Sequence, residues 1–277
     1  MSLLEVTELA VAFGRRPPAV RGVSLSVDVG QRLGVIGESG SGKTVTSLAI
    51  MGLLSETARV SGSVRLHGNE LLGLGDRALA RLRGDAMGMV FQEPMTALDP
   101  TMLAGRQVAE VLRLHQGAEA GAARERVLAM LADVGFEDPP RIADSYPHQL
   151  SGGQRQRVVV AMALINSPAL VICDEPTTAL DVTVQATVLG VLDRVLTEAN
   201  AACLFISHDL AVVSQLCSDV VVMLDGEIVE RGTARQVFTA PRHPYAQGLV
   251  ATARLDLVHP GERLPVVDDF YRRRDAR

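Results

Sequence analysis

Apolar residues recur along this chain at two different spacings. Short unbroken runs, Leu33-Gly34-Val35-Ile36, Ala169-Leu170-Val171-Ile172-Cys173 and the stretch Cys203 to Ile206, have the pattern of strands buried on both faces. Further strands are predicted near 87–91 and 220–224. Shorter ones with turns are predicted over 3–36 and 58–72, where Leu25-Ser26-Val27 alternates and Gly62 and Gly68 punctuate. Between Gln92 and Leu150 the spacing becomes helical. Gln107 to His115 sets Val108, Val111, Leu112 and His115 on one side, and Ala122 to Val134 does the same with Val127, Met130, Leu131 and Val134. Val45 to Leu54 and Val158 to Ile165 read as helices too. Asp181 is placed to cap another, whose Val184, Val188, Val191 and Val195 would form a buried stripe.

Composition narrows the class. With 277 residues, 47% of them apolar and 21% charged, the chain can build a core and a solvated surface, which excludes a disordered chain, a fibre or a coiled coil. The longest apolar run, Val158 to Ile165, is far shorter than the ~18 residues that a membrane span needs. No basic segment followed by an apolar one opens the chain, so no signal peptide is expected. A net charge of −5 gives no electrostatic footprint for nucleic acid. Cys173, Cys203 and Cys217 are odd in number and widely spaced, which suits a reducing compartment. Lys43 is the only lysine among the 27 lysines and arginines. A chain that uses arginine for nearly every positive charge keeps lysine where a compact ammonium is needed.

The neighbours of Lys43 say where that is. Gly37-Glu38-Ser39-Gly40-Ser41-Gly42-Lys43-Thr44 satisfies G-x-x-x-x-G-K-[ST], after a buried strand and before a helix. Glycines let the backbone wrap a phosphate, and the helix N-terminus adds partial positive charge. Lys43 can reach the outer phosphates and the Thr44 hydroxyl can ligate Mg²⁺. The loop is read as a nucleoside triphosphate site. The strand Ala169 to Cys173 ends in Asp174 and Glu175. Asp174 is placed to hold Mg²⁺, and Glu175 to orient or deprotonate an attacking water. Cys173 reads as a small buried hydrophobe.

A second phosphate cradle is predicted at Leu150-Ser151-Gly152-Gly153-Gln154, where Ser151 can cap a helix and two glycines allow close approach of an anion. Two cradles suggest a nucleotide clamped from both sides. With this pentapeptide the sequence resembles the ATP-binding cassette (ABC) ATPases over about residues 3–250, and their other motifs follow in order. The resemblance implies that Gln92 links Mg²⁺ to the transporter-facing segment, that Ala179-Leu180-Asp181 is the D-loop, and that His208 contacts the γ-phosphate. Phe13 is similar to the aromatic that stacks on adenine. The implied fold is α/β: a P-loop NTPase (RecA-like) core with an antiparallel β-subdomain and an inserted α-helical subdomain. The expected boundaries are 1–235 for the ATPase domain, about 93–160 for the helical part, and 236–277 for a C-terminal extension.

Within that family, Gln92 to Pro100 and Pro241-Arg242-His243-Pro244-Tyr245 resemble ATPase subunits of dipeptide, oligopeptide and nickel importers, with Ala246 where threonine is common. The resemblance implies ATP and Mg²⁺ as ligands and a head-to-tail dimer with a second, different ABC ATPase subunit. It also implies two transmembrane permease subunits, an extracytoplasmic solute-binding protein, and a peripheral place on the cytoplasmic face of the membrane. No cysteine follows Cys217, so no iron–sulfur cluster is expected. The solute reads as di- or oligopeptide, with nickel or a metal chelate as the alternative. An ABC ATPase acting on DNA or ribosomes, or a cassette that binds ATP without hydrolysing it, is the reading from another class. The terminal Arg272, Arg273, Arg274 and Arg277 read as a solvated end.

Overall fold

The strands divide between two sheets. The structure, a computed structural model, describes residues 2–178, 180–253 and 266–271. In chain order, β1 (Ser2–Phe13), β2 (Val20–Asp28) and β3 (Arg32–Ile36) lead into α1 (Lys43–Met51). Then come β4 (Ala58–Leu66), β5 (Asn69–Glu70), α2 (Asp76–Leu82) and β6 (Met87–Val90). Five helices follow: α3 (Pro94–Ala97), α4 (Ala104–Gln116), α5 (Ala120–Asp133), α6 (Pro139–Ala143) and α7 (Gly152–Leu164). The chain continues through β7 (Leu170–Asp174), α8 (Val182–Glu198), β8 (Ala202–Ile206), α9 (Leu210–Leu216), β9 (Asp219–Leu224) and β10 (Glu227–Thr233). α10 (Ala234–Thr239) and α11 (Pro244–Ala253) follow, and a short 3-10 turn covers Val267–Asp269.

Five apolar strands and the polar edge strand β10 build a six-stranded sheet in the order β10-β9-β3-β8-β7-β6, parallel except at β10. Side chains alternate across it, as strand geometry requires. In β7, Leu170 and Ile172 face one buried cluster while Val171 and Cys173 face the other. The first cluster also holds α1 and the antiparallel sheet β2-β1-β4-β5, and the second holds most of the remaining helices. The five parallel strands are thus covered on both faces, and their C-terminal ends lie along one edge.

The structure departs from sequence expectation in instructive places. β10, Glu227-Ile228-Val229-Glu230-Arg231-Gly232-Thr233, has no apolar run because it is an edge strand whose residues stay largely in contact with solvent. The buried stripe of α8 is not Val184, Val188, Val191 and Val195. Val184 and Val191 are half-buried, and Leu189, Leu192 and Leu196 join Val188 and Val195 inside. A helix turns 3.6 residues at a time, so a valine row at alternating three- and four-residue steps is only part of a wider buried face. α1 begins at Lys43 rather than Val45, and α7 at Gly152 rather than Val158. In both, the glycine-rich loop runs directly into the helix.

Candidate nucleotide site

The loop from Gly37 to Thr44 leaves β3 and enters α1 with backbone angles that suit glycine. Gly40 and Gly42 lie at φ +82° and +102°. A Cβ on Gly37 would sit 2.3 Å from the Met223 carbonyl oxygen, so only glycine passes there. Gly42, the N-cap of α1, carries no side chain to cap the helix, which leaves the first-turn N–H groups for a ligand. The side chain of Lys43 is almost fully buried and donates to the carbonyls of Gly37 at 2.7 Å and Glu38 at 2.9 Å. Burial lowers the pKa of this ammonium, while Glu175, Asp174 and Glu38 pull it back up.

A cleft of about 710 Å³ opens over this loop. Ser39, Gly40, Gly42, Lys43 and Thr44 line it, and Gln92, Glu175 and His208 stand across from them. Its size suits a nucleotide-sized ligand. Asp174 lies just beneath, 4% exposed, where its carboxylate accepts a hydrogen bond from Thr44 Oγ1 at 3.2 Å. Burial holds this carboxyl above the ordinary aspartate value, with the Thr44 bond pulling the other way. Glu175 sits at φ +48°, the left-handed region that a non-glycine residue seldom occupies. Its N–H donates to the Ile206 carbonyl, and its Oε2 accepts from Thr178 Oγ1 at 2.8 Å, with His208 Nδ1 at 3.2 Å and Gln92 Nε2 at 3.4 Å. Three side chains from separate loops thus converge on one carboxylate oxygen.

Not every expected residue joins them. Ser41 is fully buried and turned inward, its Oγ 3.5 Å from Lys43 Nζ. Phe13 ends β1, half-buried against the cluster between the two sheets, and is absent from the cleft wall. Ser151, Gly152, Gly153 and Gln154 start α7, and Asp181 caps α8 by accepting from the Val184 N–H; none of these five lines the cleft. Ala179 and the terminal arginines Arg272, Arg273, Arg274 and Arg277 lie outside the described residues. Sequence reading missed Ser47, a buried hydroxyl 3.5 Å from Asp174 Oδ2, one helical turn beyond Lys43 on the same face of α1. It also missed Thr178, whose threonine stands three residues after Glu175 with no motif to flag it. The reach of Tyr245 into this region has no local signal at all, because its partner is 207 residues away.

The oxygen donors fit a magnesium nucleotide. The Thr44 hydroxyl and the Asp174 carboxylate meet at the cleft floor, which is hard-cation chemistry. Among the described residues no group of three or more His, Cys, Asp or Glu is arranged to hold a metal.

Comparison with known proteins agrees with this architecture. The family model described as "ABC transporter" matches residues 20–178. The chain is 48% identical over 269 residues to an oligopeptide transport ATP-binding protein of Mycobacterium tuberculosis, covering 95% of this chain and 44% of that protein. It is 46% identical over 258 residues to the one of Salmonella typhimurium, covering 92% and 77%. The chain therefore spans less than half the length of the mycobacterial relative. Among solved structures, the dimeric ATP-binding cassette MJ0796 bound to ADP and Pi superposes with a TM-score of 0.74 at 29% identity, covering 84% of this chain and 99% of that one. No described helix is long and apolar enough to cross a membrane.

Proposed function

Because the chain belongs to the ABC transporter family, we propose that it is the ATP-hydrolysing subunit of an importer that takes up di- or oligopeptides. The observation that carries the ATPase reading is the convergence of Glu175, His208 and Gln92 opposite Lys43 and Thr44 across one cleft. The peptide reading rests on the relatives, which are named for oligopeptide transport. Lys43 is the compact charge that reaches the terminal phosphates once its loop carbonyls release it. Thr44 and Asp174, with Gln92, would hold Mg²⁺, which when bound offsets phosphate charge. Glu175, oriented by Thr178 and His208, accepts the proton of the attacking water.

The second cradle supports a pair of cassettes. Ser151-Gly152-Gly153 does not line the cleft of its own chain, and we assign it to a nucleotide held by another cassette. We assign that role to a second ABC subunit, arranged head to tail, with the pair seated on membrane permeases at the cytoplasmic face and served by an external solute-binding protein. A groove of about 650 Å³ between α4, α5 and α6, lined by Arg106, Ala109, Arg113 and Ala143 among others, is the candidate seat for the permease.

The test is purification of the chain with its partners. Hydrolysis of Mg–ATP together with co-purifying membrane subunits is the expected result. Co-purifying nucleic acid or ribosomes without membrane subunits would move the protein to the other class of cassette.

A further inference from the structure

The matched family segment ends at residue 178, yet a residue far beyond it reaches the phosphate loop. Tyr245, in the first turn of α11, is 1% exposed, and its hydroxyl accepts a hydrogen bond at 2.8 Å from the backbone N–H of Glu38. That N–H belongs to the Gly37–Glu38 peptide unit. The carbonyl of the same unit, Gly37 O, accepts from Lys43 Nζ at 2.7 Å. One planar peptide is therefore held at both ends, by the tyrosine on one side and by the chain's only lysine on the other. Each bond polarises the amide in the sense that strengthens the other.

Tyr245 is itself held. The Tyr271 ring packs edge-on against it with centroids 6.0 Å apart. The Glu230 carboxylate accepts from the N–H groups of Arg242 and His243, both at 2.8 Å, and so ties the start of α11 to β10. The Tyr245 N–H donates to His243 Nδ1 at 3.2 Å. An exposed terminal appendage would need none of these ties.

We propose that Tyr245 is a positioning residue of the phosphate loop, through which the segment after β10 sets nucleotide affinity. The hydroxyl keeps the Gly37–Glu38 peptide in the orientation that shapes the loop before ligand arrives, so less ordering remains to be done on binding. This rests on the reading of the cleft as a Mg–ATP site. The hydroxyl touches no reacting atom, so its loss acts on binding and not on the chemical step.

The experiment is Tyr245→Phe in the full chain, assembled with its partners and assayed for Mg–ATP hydrolysis over a range of nucleotide concentrations beside the parent complex. Phenylalanine keeps the ring packing and removes the hydroxyl that accepts from the Glu38 N–H. KM for Mg–ATP should rise about three- to tenfold, the effect of one net hydrogen bond, with kcat within about twofold of the parent. An unchanged KM overturns the proposal, whether kcat and the unfolding midpoint stay put or fall together as for a purely structural residue. A parent that neither binds nor hydrolyses Mg–ATP overturns instead the function on which the proposal rests. Should the variant not accumulate as folded protein, Glu230→Ala serves in its place. It frees the start of α11 without touching the loop, and it should raise KM in the same direction by a smaller factor; no rise would overturn the proposal.

Discussion

α1 and α7 both begin with a glycine-rich turn, yet their N-termini are built in opposite ways. At α1 no side chain caps the helix, Lys43 and Asp174 are buried beside it, and the surrounding loops close a cleft over it. At α7 the helix caps itself. Ser151 Oγ accepts from the Gln154 N–H, and Gln154 Oε1 accepts from the Ser151 N–H at 2.9 Å, a capping box that satisfies two donors locally. Among the described residues, its first turn does not line the cleft that holds Lys43. The first terminus carries the polar tension of a site awaiting a ligand; the second is at rest and exposed. On the proposed reading, an isolated chain holds the chemistry in one cradle and a lid for another cassette in the other.

The sharpest way to break that contrast is to disable the chemistry while leaving both cradles intact. Glu175→Gln keeps an acceptor for Thr178 but removes the base, so turnover should fall by ~10²-fold or more while Mg–ATP is still bound. Steady-state hydrolysis and nucleotide retention, measured on the assembled complex, report the two quantities separately. Near-parental turnover would remove Glu175 from its role and leave the first cradle without a base.

A second contrast lies inside the α7 turn. A Cβ on Gly153 would lie 2.1 Å from Val184 Cγ1, on a valine whose χ1 is stiff within helix α8. A Cβ on Gly152 would meet only Leu180 Cδ2, at an ordinary 3.8 Å. Helix packing therefore requires glycine at Gly153, while a Cβ on Gly152 meets only ordinary contact within the chain. Gly153→Ala should cost about 1–3 kcal/mol of folding stability by overpacking. Gly152→Ala should leave the unfolding midpoint of the isolated chain unchanged or slightly higher, yet lower hydrolysis in the assembly by about tenfold. Equal effects of the two on stability would erase the distinction.

How much of this was legible beforehand depended on whether the signal was local. The loop at Lys43, the strand ending in Asp174 and Glu175, and the Ser151 cap were each readable because a short stretch contains both the pattern and its physical reason. The edge strand β10 was not, since an edge exposes polar residues and lacks the apolar run that marks a central strand. The valine row of α8 misled in the other direction, because burial follows the face that packs and not the residue type that repeats. Phe13 fitted a motif by position, but strand β1 carries it to the inter-sheet cluster and not to the cleft wall. Ser47 and Tyr245 depended on contacts made through the fold, Tyr245 across 207 residues.

The smallest effect discriminates by its sign. The fold binds the Asp174 proton more tightly than the unfolded chain does, because burial disfavours the carboxylate. The resulting penalty on stability is absent below the ordinary aspartate value, grows as pH rises through the window up to the folded value, and is present in full above it. Asp174→Asn removes that charge, so at pH 7 the nucleotide-free variant should unfold at a higher temperature than the parent while losing hydrolysis. The gain should vanish as pH falls into the ordinary aspartate range. Ser151→Ala at the other terminus should do the reverse, lowering stability by ~1 kcal/mol through loss of a cap, with no such pH dependence. Thermal melts of the two variants from pH 4 to pH 8 check both. If Asp174→Asn melted below the parent at pH 7, the buried carboxylate would be a stabilising group, and the first cradle would be no more strained than the second.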